Sequence, residues 1–212
     1  MLKSCYNWKV VDTMKDIVIN NSLNLIKNYN PDYNEEKIEI IEYGLVGLYL
    51  MISKTIIIFT VAAVLGIFKD LLILTILYNI IRMPSFGMHA TKSWICLVAS
   101  SLMFIGGAYL CSMLIIPTNI KVVIGIIGIV LMGKNSPADT EKRPIINSKR
   151  RLIYKIITTI IAITFVALAI IIPYNFLANS LIFALIYQCI MVSPTTYKIF
   201  NQPYNNYKKY TK

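Results

Sequence analysis

Ile156 to Tyr197 reads IITTIIAITFVALAIIIPYNFLANSLIFALIYQCIMVSPTTY, an unbroken run without Asp, Glu, Lys, Arg or His. A helix that crosses a bilayer needs about 20 predominantly apolar residues, so this stretch is long enough for two. Pro173 divides it, and a helix cannot simply continue through a residue that lacks the backbone N–H. The stretch therefore reads as two spans joined by a tight turn. The whole chain agrees with that reading: 57% of its 212 residues are apolar and 15% are charged, too few charges for an ordinary soluble domain.

Working outward, Ser93 to Ile120 is a further uncharged run, ending near Pro117, and supplies a third span. Thr55 to Phe68, preceded by the softer Tyr43 to Ser53, gives a fourth that enters near Lys54, whose ammonium can snorkel to the interface. Leu71 to Ile81 and Val122 to Gly133 are apolar but short. At about 1.5 Å per residue they reach roughly 17 to 18 Å, so each must extend into its polar flank, cross a thinned bilayer or lie in a protein-lined cavity. The fold expected is an all-α polytopic membrane protein of about six transmembrane or partly embedded helices, preceded by interfacial helices. The organisation expected is an N-terminal interfacial segment over residues 1–42, a membrane-embedded domain over 43–195 and a basic tail over 196–212, disordered or in contact with the lipid surface.

Charge supports the division. Seven of the ten acids lie at or before Glu42, leaving that piece at −2 and the remainder at +13. Trp8, Val10, Val11, Met14, Ile17 and Val18 recur at roughly helical spacing before a break at Asn30-Pro31, as in a helix lying on a membrane. The net charge of +11 could suit a nucleic acid, but the apolar runs between the basic residues exclude that partner and point to the lipid bilayer. Lys134, Lys142, Arg143, Lys149, Arg150, Arg151 and Lys155 mark residues 134 to 155 as cytoplasmic. Six crossings then put residues 1–52, 82–93 and 194–212 on the same side, so the two polar interior loops share one face and both termini are cytoplasmic.

Chemistry concentrates in the first of those loops, Arg82-Met83-Pro84-Ser85-Phe86-Gly87-Met88-His89-Ala90-Thr91-Lys92-Ser93-Trp94-Ile95-Cys96. A thiol nucleophile needs a base, and the chain's single histidine lies seven positions before a cysteine at the start of a span. An unbroken helix would hold the two roughly 10 Å apart along its axis, so His89 must sit in a bend, which Pro84 and Gly87 can supply. Ser93 as N-cap would put Cys96 at the third helical position, where the helix N-terminus and an imidazolium favour the thiolate. The plain alternative is an interfacial histidine and a small apolar cysteine. Cys111 and Cys189 lie deep in apolar runs and Cys5 has no neighbouring base, so all three read as structural. The cysteine spacing indicates neither disulfides nor zinc, and no metal or cofactor is expected. In the second loop, Asp139 and Glu141 are two of only three acids after Glu42. Either could orient His89 as the third member of a triad does, or the pair could simply belong to a capped turn.

Taken together, Arg82, Gly87-Met88-His89-Ala90, Cys96 and Ser100, followed by Pro137-Ala138-Asp139-Thr140-Glu141 and Pro144-Ile145, resemble the accessory gene regulator protein B (AgrB) family of membrane cysteine endopeptidases. The resemblance implies a thiol protease of the bacterial cytoplasmic membrane. Such an enzyme cuts the C-terminal part from an AgrD-type quorum-sensing propeptide, holds the peptide as a thioester and promotes its cyclisation to a thiolactone or lactone. It implies Cys96 as nucleophile, His89 as base, Arg82 and Gly87 as supporting residues, and it suggests a homodimer. Arg82, Lys92, Lys142 and Arg143 would draw an acidic propeptide tail. Two departures stand out: Phe86 replaces the first of two glycines found in many members, and Arg143 stands where lysine is frequent. The competing reading is a non-enzymatic peptide exporter or interaction protein. Active transport is disfavoured by the lack of a GxxxxGK[ST] motif.

Overall fold

The computed structural model describes residues 9–88, 93–141 and 144–210. It divides into two compact units, residues 1–60 and 61–212. Among the described residues it is helical, without a named strand: α1 Lys9–Tyr29, α2 Glu35–Val64, α3 Phe68–Ser85, α4 Ser93–Ser101, α5 Gly107–Met113, α6 Thr118–Asn135, α7 Ser148–Ile171, α8 Asn175–Val192 and α9 Pro194–Ile199.

In the first unit the chain breaks after Tyr29, at the Asn30-Pro31 pair, and Asn34 restarts it by accepting the Lys37 N–H at 3.0 Å. This is an N-cap, and Glu35 and Glu36 in the first turn complement the helix dipole. The helix so started runs unbroken to Val64, so the expected boundary at 42/43 falls inside a 30-residue helix that already includes Lys54. Sequence reading put a border there because the acids stop at Glu42. Helix propagation ignores that border, since no proline follows it and Gly44 and Gly47 are carried within the helix. On α1, Met14, Ile17 and Val18 are exposed.

The second unit opens on the end of α2. Gly66 takes φ +73°, with Gly66 N–H bonded to the Ala63 carbonyl and Ile67 N–H to that of Ala62. This Schellman turn needs a residue that tolerates the left-handed conformation. The two short apolar runs resolve by extending into their polar flanks: α3 and α6 each hold 18 residues, roughly 27 Å at the helical rise. α4 and α5 are joined by a π-helical turn, Leu102–Gly106, within one span that ends at Met113 rather than near Pro117. α7 and α8 flank Pro173, as the long uncharged run predicts. Five helices are long and apolar enough to cross a membrane, namely α2, α4–α5, α6, α7 and α8; α3 is as long as α6 but carries Lys69, Asp70 and Arg82.

α8 is the hub, packed against α3, α5, α6 and α7. Close approach is made possible by glycine: a Cβ on Gly125 would strike Val166 of α7, and one on Gly128 would strike Leu185 of α8. Without a hydrophobic drive between helices in lipid, such small-residue contacts carry the packing. At one end of the unit, fully buried Asn179 of α8 donates to the carbonyls of Cys111 (3.1 Å) and Leu114 (2.7 Å), satisfying the C-terminus of α5.

Candidate active site

At the other end, α3 stops at Ser85 because the next two residues leave helical space, Phe86 at φ 58°, ψ −130° and Gly87 at φ 114°. The emerging segment is stitched to the loop after α6 by an isolated bridge between Phe86 and Ala138. Gly87 N–H donates to the Ala138 carbonyl (2.9 Å) and Ala138 N–H to that of Ser85 (3.0 Å), while Met88 N–H donates to Met191 at the end of α8 (3.1 Å). The two polar loops expected to share a face are therefore hydrogen-bonded to each other. Side chains reinforce the seam. Gln188 Nε2, buried in α8, donates to Ser85 Oγ and to the Phe86 carbonyl at 2.7 Å. The Tyr197 hydroxyl donates to the carbonyls of Ala138 (3.2 Å) and Asp139 (3.1 Å). Burial, and after it the Asp139 carboxylate, push that phenol above its ordinary range, so it remains a donor.

Arg82 spans the bend. Its Nη1 donates to the Tyr78 hydroxyl at 3.1 Å and its Nη2 to the Met88 carbonyl at 2.9 Å. Met88 immediately precedes His89. Tyr78 is itself fixed by an edge-on contact with Phe104 in the π turn, ring centroids 5.3 Å apart. The Arg82 guanidinium also lies over its ring, 5.7 Å from the centroid. Cys96 is half-buried in α4, whose first described residue is Ser93. Met88, before the bend, is thus tied through Arg82 to Tyr78, whose ring rests on the span that carries Cys96. His89 and Lys92, like Lys142, Arg143 and Cys5, lie outside the described residues. Cys111 and Cys189 are buried within the helices, Cys189 with its thiol 3.6 Å from the Gly128 carbonyl.

Among the described residues, Asp139 is partnered by backbone N–H groups and by Arg151. Its side chain is fully buried, with Oδ1 accepting the Asn206 N–H (3.0 Å) and Oδ2 those of Tyr207 (2.9 Å) and Ile145 (3.3 Å), beside Arg151 at 3.6 Å. Three of the carboxylate's roughly four acceptor sites are taken by these backbone N–H groups. The tail is consequently held against the rest of the unit over the described residues 201–210, in place of the disorder expected as one alternative: Asn206 is buried, and the Arg151 guanidinium stacks on Tyr207 at 3.5 Å. Backbone N–H groups seeking an acceptor and a buried carboxylate seeking donors satisfy one another. Glu141 makes an exposed pair with Lys209 at 3.1 Å, of a kind worth little to stability.

Sequence reasoning missed Tyr78, Gln188 and Tyr197. The first sits one turn before Arg82, a spacing that brings helical side chains together; the second is an amide in the longest apolar run, and polar groups at such depth usually have a specific partner. Nothing local marked Tyr197.

The departure at Phe86 also finds its physical meaning. Its left-handed φ is one that glycine adopts freely, and the phenylalanine is held there with its ring edge-on to Tyr154, centroids 5.1 Å apart. Gly87 is less replaceable, since a Cβ would lie 3.0 Å from the Met191 carbonyl oxygen and 3.2 Å from Arg82 Nη1. Phe86→Gly is therefore expected to fold and act within about threefold of wild type, released strain offsetting the lost ring contact. Gly87→Ala is expected to cost about 1–3 kcal/mol. Thermal melts of the two variants check this, and equal melting temperatures would refute it.

Spanning helices packed around α8, with two loops seamed at one end beside a cysteine-bearing helix start, define a polytopic helical membrane protein with one organised polar end. The chain belongs to the Accessory gene regulator B family, whose description matches residues 19–192. An AgrB-like protein of Clostridium acetobutylicum is 30% identical over 183 residues, covering 85% of this chain and 88% of its own length. Another from Listeria monocytogenes serovar 1/2a is 30% identical over 179 residues, with 84% and 87% covered. Accessory gene regulator protein B of Staphylococcus aureus strain MW2 is 31% identical over 126 residues, with 58% and 67% covered. No solved structure matches. Membership gives the chain a role in the agr quorum-sensing system.

Proposed function

We propose that the protein is an integral membrane cysteine endopeptidase that cleaves the C-terminal part from an AgrD-type propeptide and promotes cyclisation of the remainder. The observation that carries this reading is the arrangement around the bend: Arg82 ties the Met88 carbonyl to Tyr78, and Tyr78 rests on Phe104 of the same span that carries Cys96. In the reaction, His89 takes the thiol proton, Cys96 sulfur attacks the scissile carbonyl, and the proton passes to the departing amine. A thioester remains. A substrate thiol or hydroxyl then attacks that carbonyl, closing the thiolactone or lactone ring and returning the thiol to Cys96. The thioester conserves the energy of the cleaved bond only if water is kept out, which a site at the ends of membrane helices favours. Lys92, Lys142 and Arg143 attract the acidic tail of the propeptide. A homodimer is supported by the family resemblance alone. Co-expression with a small amphipathic propeptide, read by intact mass, tests the reading: a cyclised product is expected, and an uncut peptide refutes it.

Within this reading Arg82 is a positioning residue, because both Nη atoms are engaged with Tyr78 and Met88. A lysine ammonium cannot reproduce a planar two-directional fork. Arg82→Lys and Arg82→Ala are both expected to lower kcat at least about tenfold with KM little changed. Full activity in the lysine variant would reduce Arg82 to an interfacial charge.

The organised end is proposed to face the cytoplasm, where a propeptide is made, with both termini on that side. The concentration of lysine and arginine between residues 134 and 155 supports this orientation. A single cysteine at Lys149 is expected to react with an impermeant maleimide only after the inner face is opened, and one at Asn119 from outside. The reverse pattern would invert the orientation.

A further inference from the structure

Two hollows meet at the C-terminal end of α6. The first is a cleft of about 480 Å³ between the ends of α6 and α7 and the docked tail, lined by the cations Lys134, Arg151 and Lys155 together with Asn135 and Ser136. Among the described residues no acidic side chain lines it; Asp139 lies beyond Arg151, its side chain fully buried. Ser136 is 4% exposed, and its buried hydroxyl has no hydrogen-bond partner. The second hollow is an apolar groove of about 360 Å³ along α6 and α8, passing Ile127, Gly128, Leu131, Leu185 and Ile190. Asn135 belongs to both.

We propose that the pair forms a binding site for one anionic phospholipid, its phosphate in the cleft and an acyl chain in the groove. The groove lies between two membrane-spanning helices, with Ile127 and Ile190 about half exposed along it, so it opens toward hydrocarbon. The cleft lies where those helices end, the depth of lipid headgroups. Between Ile124 and Asn135 α6 rises roughly 16 Å, enough to guide an acyl chain away from the cations. A phosphate wants several donors of positive charge, and basic pockets at the ends of spanning helices hold acidic headgroups for that reason. Free phosphate or an acidic peptide would need the cleft but leave the adjoining groove without a purpose. Because Arg151 reaches both the cleft and Asp139, an occupied site would also steady the second loop of the seam.

The full chain, reconstituted in vesicles of equal phosphatidylglycerol and phosphatidylcholine and re-extracted, is read by native mass spectrometry for retained lipid. One phosphatidylglycerol is expected in strong preference to phosphatidylcholine. Combined Lys134→Gln and Lys155→Gln is expected to lower that preference about 30-fold, two lysines near a membrane surface each contributing about a factor of five. Lys134→Arg with Lys155→Arg should keep it, which separates charge from folding damage. Leu131→Trp, which fills the groove, should lower occupancy, and excess glycerol phosphate should not displace the lipid. Equal retention of both lipids, an unchanged preference in the double glutamine variant, or displacement by glycerol phosphate or by an acidic peptide would overturn the proposal.

Discussion

Cys96→Ala is expected to abolish propeptide cleavage while the chain still inserts in the membrane, and Cys96→Ser to do nearly the same. The expectation rests on what surrounds the four cysteines. Cys111 and Cys189 are buried in helices that cross the membrane, where a thiol behaves as a small apolar side chain. Cys5 has no base near it in sequence. Cys96 is half-buried in α4, eight positions in sequence after Met88, whose carbonyl Arg82 holds. Removing the nucleophile of a covalent mechanism removes the route rather than slowing it. Replacing Cys5, Cys111 and Cys189 together is expected to keep activity. Cleavage assays on membranes with matched protein levels decide the matter, and cleavage surviving in Cys96→Ala would sink the assignment.

His89→Ala has the next largest expected effect, a fall in acylation of at least about 100-fold, the scale of losing a positioned general base. Near neutral pH a thiol is mostly protonated and attacks poorly, so the loss should shrink as pH rises and the thiolate forms without help. The measurement is single-turnover release of the C-terminal fragment across pH, wild type against variant. A variant as fast as wild type near neutrality would assign the base elsewhere. A deficit independent of pH would mean that His89 shapes the bend instead of moving a proton.

Much of the architecture is legible in the amino-acid sequence. The uncharged run around Pro173 has to be two helices, because neither length nor proline chemistry leaves another reading, and α7 and α8 end and begin on either side of it. The two short apolar runs are ambiguous for a physical reason: apolar length alone cannot tell whether a helix stops at its first charge or carries that charge to the interface. α3 and α6 do the latter. The candidate site is half legible. Arg82, Gly87 and the two loops can be picked out, because chain-breaking and ionisable residues are conspicuous in so apolar a chain. Their joining cannot, since it depends on Ala138 meeting Ser85 and Gly87 through backbone atoms that every residue possesses. The docked tail escapes notice for a related reason. A basic, tyrosine-rich terminus has the composition of a disordered one, and the acceptors that hold it, the Asp139 carboxylate foremost, lie far away in sequence.

The central claim is that Cys96 carries the peptide as a thioester, and the most direct measurement is the mass of the enzyme caught during turnover. Wild type mixed with propeptide, quenched in acid and analysed intact, is expected to gain the mass of the N-terminal peptide fragment. That added mass should map to Cys96, be removed by hydroxylamine, and be missing from Cys96→Ala. An adduct on another residue, or propeptide cut at a normal rate by Cys96→Ala, would contradict the account.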